Sequence, residues 1–352
     1  MRIVLPFAAL VAVVLTSGPA PGHAQQPERF TLAGPSIAIF NLAGEVRVEA
    51  GSGADVVVEA TRGGLDAAEL RFERGPIGGR ETFRVIYPDD DVVYDRGAGW
   101  SSRTDVTVRD DGTFFGGERG SGGRRIRVKS SGSGTEAYAN LVVRVPAGKQ
   151  IALYLAVGEA TVTGVTGDVL VDVGAADVTT SKTKGKLTLD TGSGEVEITD
   201  AEGDVFLDSG SGGATFTRVR GSTLLVDAGS GGIRGNDITV EKLELDLGSG
   251  GTRLSEVKAK EVRVDAGSGT TEIELASDVE YMDVDTGSGG VTLRVPEQLG
   301  AELDVETGSG GISVDVPVQV TRRSRSRLIG TIGDGKGQIR IDAGSGGVRI
   351  RR

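Results

Sequence analysis

From residue 187 onwards, apolar and polar residues alternate with a period of two in short runs. In Leu243-Glu244-Leu245-Asp246-Leu247 the leucines share one side and the acids the other. Val262, Val264 and Ala266 repeat the arrangement, with Arg263 and Asp265 opposite. This is the mark of a strand with one buried face. After a tight break comes a second alternating run: Val196 and Ile198, Ile273 and Leu275, Val291, Leu293 and Val295, Ile312 and Val314. A looser turn, as at Glu202-Gly203-Asp204 or Lys258-Ala259-Lys260, then closes the unit. No helical period lies between.

The tight break is always Gly-Ser-Gly. Its first glycine falls at Gly192, Gly210, Gly229, Gly248, Gly267, Gly287 and Gly308, then at Gly344, at intervals of 18, 19, 19, 19, 20, 21 and 36 residues. A repeat this short cannot bury an apolar face alone and becomes stable only by stacking on its neighbours. A flexible Gly/Ser linker would not carry alternating Val, Leu and Ile on both sides. The pattern therefore predicts an all-β chain, a single-chain parallel β-solenoid (β-helix) with coils of about 18–21 residues. The inward residue before each corner is usually small (Thr191, Ser209, Ala228, Ala266, Thr286, Thr307, Ala343), as a sharp turn with little room inside requires. The corner glycines supply positive φ or close backbone approach.

Weaker copies extend the array upstream, at Asp172-Val173-Gly174, at Gly158 and at Glu49-Ala50-Gly51-Ser52-Gly53. Residues 65–135 break the rhythm and are expected to form an irregular, hairpin-rich excursion; they hold Trp100, Tyr87, Tyr94, Phe114, Phe115 and Asp89-Asp90-Asp91. A second irregular stretch, 321–337, carries Arg322, Arg323, Arg325 and Arg327 and reads as an Arg-rich loop in the place of a missing corner. Residues 1–24 read as a signal peptide, with Arg2, the apolar run Ile3 to Leu15, and Gly22-His23-Ala24 at the cleavage site. An uncleaved anchor is disfavoured because that run falls short of the roughly 20 residues a membrane span needs. The solenoid domain is then 25–352, in an exported chain (periplasmic, cell-surface or secreted) with no membrane span after cleavage.

Composition narrows the chemistry. The chain has no cysteine, and its one histidine, His23, falls in the signal. Ser-His-Asp, Cys-His and His-metal chemistry are excluded from the mature chain, and no cofactor is expected. Without Arg2, 38 basic residues face 50 acidic ones, a formal balance of −12. An acidic surface of this size disfavours nucleic acid and anionic lipid and suits divalent cations or basic protein surfaces.

Several segments together resemble the DUF4097 family of bacterial β-strand-repeat proteins, often labelled adhesins. They are the opening Ile37 to Thr61, the entry Val145-Pro146-Ala147-Gly148, the Asp-x-Gly-Ser-Gly ladder, and the close Gly330-Thr331-Ile332-Gly333-Asp334-Gly335 followed by Ile339 to Gly346. The resemblance implies a parallel β-solenoid in an exported bacterial protein and adds adhesion as a function.

Two outward columns follow from the period. The acid ahead of each corner (Asp172, Asp190, Asp208, Asp227, Asp246, Asp265, Asp285, Glu306, Asp342) should stack at about the 4.8 Å strand spacing. Neighbouring charges would then repel by about 0.9 kcal/mol in water. Turn chemistry, with each Asp accepting backbone amides of the glycine corner, is the favoured use. Calcium held by Asp190, Asp208, Asp227, Asp246, Asp265 and Asp285 is the alternative, weakened by the lack of a nine-residue Gly/Asp period. Two residues earlier runs Leu170, Thr188, Phe206, Leu225, Glu244, Arg263, Asp283, Asp304. Leu170, Phe206 and Leu225 form a candidate partner face, unless the excursion folds back over them. The expected function is a non-enzymatic, adhesin-like interaction or scaffold protein of the cell envelope, docking an envelope or surface protein or polymer. The alternatives are a calcium-stabilised module or, against the uniformity of the Asp column, a carbohydrate-active β-helix enzyme.

Overall fold

The alternation becomes a stack of parallel strands in strict register. A computed structural model describes residues 26–95, 103–115 and 122–352. The expected signal peptide and Trp100 lie outside them. Ahead of the corners, Leu189 lies beside Leu207, and then follow Val226, Leu245, Val264 and Val284, one per coil. All six are buried. After the corners, Ile198, Phe216, Gly235, Leu254, Ile273 and Leu293 make the matching inner ladder. Each Leu or Ile so enclosed contributes about 1.5–3 kcal/mol. The chain is a parallel β-solenoid, and the core is the space between its two ladders.

A further corner was not legible in the sequence. Lys182, Asp200, Arg218, Asp237 and Glu256 adopt φ of 54–57° one above another, the last four inside the second strand of their coil and Lys182 just past Ser181. There the chain bends, so that Ala201, Val219, Ile238 and Val257 turn inward again and are buried. Left-handed backbone usually selects glycine, or else Asn or Asp. Here charged residues occupy it, so glycine content gave no sign of the bend.

Antiparallel strands close the N-terminal end. The long strand Ser36–Ala50 pairs in parallel with Lys149–Thr163, the first coil of the array. Its two halves also receive Arg80–Ile86 and Tyr138–Val145. These in turn carry Arg71–Ile77 and the pair Val56–Gly63 and Glu28–Leu32 in antiparallel pairing. Part of the stretch at 65–135 thus extends the main sheet. Another part forms a separate four-stranded sheet of Asp91–Val93, Arg103–Val108, Arg124–Lys129 and Thr135–Glu136.

At the other end the coil order departs from the sequence order. Tyr281–Thr286 pairs with Gly337–Ala343, and only then comes Ala301–Thr307. Val291–Arg294, Val348–Arg351 and Ile312–Val314 follow the same order. The last coil of the chain is therefore threaded inside the one before it. The Arg-rich stretch explains why. It is a hairpin rather than a bare loop or a lapsed coil: Gln319–Arg323 folds on Arg327–Ile332, which runs antiparallel along the outer edge of Ala301–Thr307. That edge is closed to a further parallel strand, so the terminal segment stacks on its inner side.

Candidate interaction surface

The corner glycines set how closely the coils approach. A Cβ added at Gly192, Gly210, Gly229, Gly248, Gly267 or Gly287 would lie 2.5–2.8 Å from the carbonyl oxygen of the glycine one coil back. At Gly344 and Gly308 the distance falls to 2.3 and 2.2 Å. None of these first glycines has positive φ. Close approach alone selects them, whereas the second glycine of the motif adds φ of 115–133° at Gly194, Gly212, Gly231, Gly250 and Gly269.

Beside this seam runs the Asp ladder. Asp172, Asp190, Asp208, Asp227, Asp246, Asp265 and Asp285 pair in register. The expected end, Glu306 then Asp342, is reversed to Asp342 then Glu306 by the threaded coil. From Asp190 to Asp285 the side chains are exposed. The favoured turn chemistry is overturned. No corner amide is bonded to these six carboxylates among the described residues; Gly212, Gly231 and Gly250 donate instead to Ser230, Ser249 and Ser268 carbonyls of the next coil at 3.1 Å. Amide capture belongs to other acids: Asp177 Oδ1 accepts from Glu195 N at 3.0 Å, and Asp204 Oδ1 from Ser222 and Thr223 N at 3.1 and 3.0 Å. Desolvation and then Asp208 push the Asp190 carboxyl above its ordinary range. Desolvation, Asp342, Asp265 and Asp283 do the same at Asp285. Among the described residues, no group of three or more His, Cys, Asp or Glu side chains converges as a metal site would require.

The bend carries an opposite arrangement. Arg218 donates to both carboxylate oxygens of Asp200, the Nη2–Oδ2 contact being 3.1 Å. Arg220 reaches Asp237 at 2.6 Å. The Arg218 hydrogen bond holds the Asp200 carboxyl below its usual range, with Lys182 adding to the effect. Here, from Lys182 to Asp237, alternating signs neutralise one another up the stack.

In the second predicted column, Leu170, Thr188, Phe206, Leu225, Glu244, Arg263 and Asp283 stack as expected. Arg340 then intervenes before Asp304. Leu170, Phe206 and Leu225 are half-buried, and Lys186 Nζ lies 4.8 Å from the Phe206 ring centroid. The described aromatics of the excursion settle elsewhere. Phe114 packs edge-on to Phe40, which stacks on Tyr154 at 4.5 Å, and Phe115 reaches the corner at Gly174. Tyr87 is wholly buried and donates to Asn41 Oδ1 at 2.9 Å, so its phenol is pushed up by desolvation. The small sheet thus covers the first coils and leaves the Phe206–Leu225 region to the array.

At the C-terminal end, Arg327 clamps the hairpin to the stack. Its Nε and Nη2 donate to Asp304 Oδ1 and Oδ2 at 3.0 and 2.7 Å, and Nη1 lies 3.4 Å from Glu306 Oε2. A groove of about 480 Å³ beside it is lined by Tyr281, Leu303, Thr321, Ile329 and Arg340 among others. Among the described residues, no helix is long and apolar enough to cross a membrane.

A family model described as Toastrack DUF4097 matches residues 114–351. No curated protein matches the sequence. One solved structure that does match is described as a "putative cell adhesion protein" from Clostridium sporogenes ATCC 15579. It is 9% identical, covers 93% of this chain and 99% of its own, and superposes with a TM-score of 0.19. A superposition that loose says nothing about function.

Proposed function

The chain belongs to the Toastrack DUF4097 family, and from that premise we propose that it is an exported, non-enzymatic interaction or scaffold module of the cell envelope, adhesin-like in use. One observation carries the reading. The register gathers Leu170, Phe206 and Leu225 into a half-buried column beside a solvent-facing Asp ladder, on a surface fixed by backbone stacking. Such a rigid, repetitive face suits docking, because little side-chain or loop order is lost on binding. The carboxylates form a uniform row, whereas acid–base catalysis calls for two whose environments differ sharply.

The test is capture from an envelope fraction by the purified chain beside a Phe206→Ser/Leu225→Ser variant. A protein held by the parent and released by a folded variant supports the reading and locates the face. Capture of nothing by either counts against it. One second reading, a calcium-stabilised module, rests on the Asp190 to Asp285 ladder, which no amide or ion pair neutralises among the described residues, although its carboxylates stack in a row rather than converging in threes. A melting temperature unchanged between millimolar calcium and chelator removes it.

A further inference from the structure

The C-terminal hairpin has three properties that its structural role does not use. Among the described residues Gln319–Arg323 pairs only with Arg327–Ile332, which leaves one whole side of its backbone open. All five of its residues are exposed, Val320 to 46%. Arg322, Arg323 and Arg325 have no ion-pair partner among the described residues, although Arg327 beside them is fully engaged with Asp304 and Glu306. A cluster of free guanidinium groups on an open edge is unexpected in a chain of net charge −11.

Edge arginines also deter unwanted pairing, but they do so only against neutral or basic strands. We propose that the Gln319–Arg323 edge is a docking site for an extended acidic segment of a partner protein. The segment adds as a further β-strand, and its carboxylates meet Arg322, Arg323 and Arg325. Strand addition draws affinity from main-chain hydrogen bonds and specificity from side-chain contacts. Here Val320 and the three unpaired arginines supply those contacts. A second copy of this chain fits poorly. At the other end the main sheet's edge strands are Glu28–Leu32, whose Glu28 is already held by Arg62, and Arg71–Ile77, which is itself basic through Arg71 and Arg74. The small sheet's edge strand Arg103–Val108 has its one acid, Asp105, already paired with Arg103 and Arg125. This inference rests on the interaction reading above and names a partner chemistry for it.

The probe is a labelled peptide of about ten residues alternating Glu and Val, titrated into the full chain by fluorescence anisotropy. Binding should weaken about tenfold when Gln replaces Glu in the peptide, or in the exposed Arg322→Gln/Arg323→Gln/Arg325→Gln variant. It should also weaken with rising salt. A peptide N-methylated at alternate amides, with unchanged charge, should bind at least as poorly. Equal binding of the N-methylated peptide would mean charge attraction without a strand and would overturn the proposal. So would tighter binding of dextran sulfate with no N-methyl effect, equal binding by the triple variant, or no binding. The triple variant also separates the two readings. If the chain and this variant capture the same envelope protein while the peptide fails, the docking edge is wrong and the interaction function stands. Peptide binding with an empty envelope capture gives the reverse.

Discussion

At the scale of single residues, the glycines in and just after one corner do different jobs and should respond differently to alanine. Gly248 has ordinary φ, but its Cβ would sit 2.5 Å from the Gly229 carbonyl oxygen. Neither backbone can yield without shifting a coil, so Gly248→Ala is expected to cost about 3 kcal/mol. Gly251, also of ordinary φ, meets nothing nearer than the Thr270 carbonyl oxygen at 3.5 Å. Gly251→Ala should fall between neutral and about 1 kcal/mol stabilising, through the stiffer unfolded chain. Urea unfolding of the two variants checks the contrast, and equal effects would remove close approach as the reason for the corner glycines. The residue before the corner gives a second test. Ser209 is buried, and its hydroxyl has no hydrogen-bond partner among the described residues, whereas Ala fills the same place at 228, 266 and 343. Ser209→Ala should therefore stabilise by about 1 kcal/mol in the same assay, since it removes an unsatisfied buried donor at almost no change in volume.

At the scale of the element, two ladders of charge should give opposite pH dependence. The Asp285 carboxyl is raised, so its ionisation opposes folding: stability is greatest below its unfolded value and declines as pH rises through the folded one. Asp285→Asn should be more stable than the parent at pH 7, with the difference closing as pH drops towards about 4. The Asp200 carboxyl is lowered by Arg218, so its contribution is present above the unfolded value and is lost as pH falls through the folded one. Asp200→Asn should be less stable at pH 7, and that difference too should vanish in acid. Thermal melts of both variants between about pH 3 and pH 7 check the signs. The strands themselves were open to reading because the ladder ahead of the corners, from Leu189 to Val284, is apolar in every coil. The bend at Lys182, Asp200, Arg218, Asp237 and Glu256 was hidden, since nothing local distinguishes a charged residue in left-handed backbone from one on a strand face. The role of the Asp ladder was misjudged for a related reason. Proximity in sequence put each Asp beside a glycine corner, but stacking gives corner amides such as those of Gly212, Gly231, Gly250 and Gly287 to carbonyls of a neighbouring coil.

For the whole molecule, the repeat reveals the fold but not the order of its last coils. Gly287, Gly308 and Gly344 belong to equivalent coils, and the inward residues Val284, Val305 and Ile341 would pack equally well in either order. Nothing in the repeat prefers one. The choice comes from the Arg327–Ile332 strand, which occupies the outer edge of Ala301–Thr307 and leaves residues 337–351 only the inner side. The chain has no cysteine, so engineered pairs report the order cleanly. Asp285 and Asp342 are direct neighbours, and Asp342 in turn neighbours Glu306, which leaves Asp285 and Glu306 two strand spacings apart. That separation is about 9.6 Å, beyond disulfide reach. A cysteine pair at 285 and 342 should therefore cross-link on mild oxidation, and a pair at 285 and 306 should not. Ending the chain at residue 336 takes away the threaded coil. Because the 301–314 coil keeps matching corner and core residues, it should then restack directly on 281–294, and the 285–306 pair should become the one that cross-links. Failure of 285–342 in the full chain would refute the threaded order. Failure of 285–306 in the shortened chain would instead show that the terminal coil is needed to hold its neighbour on the stack.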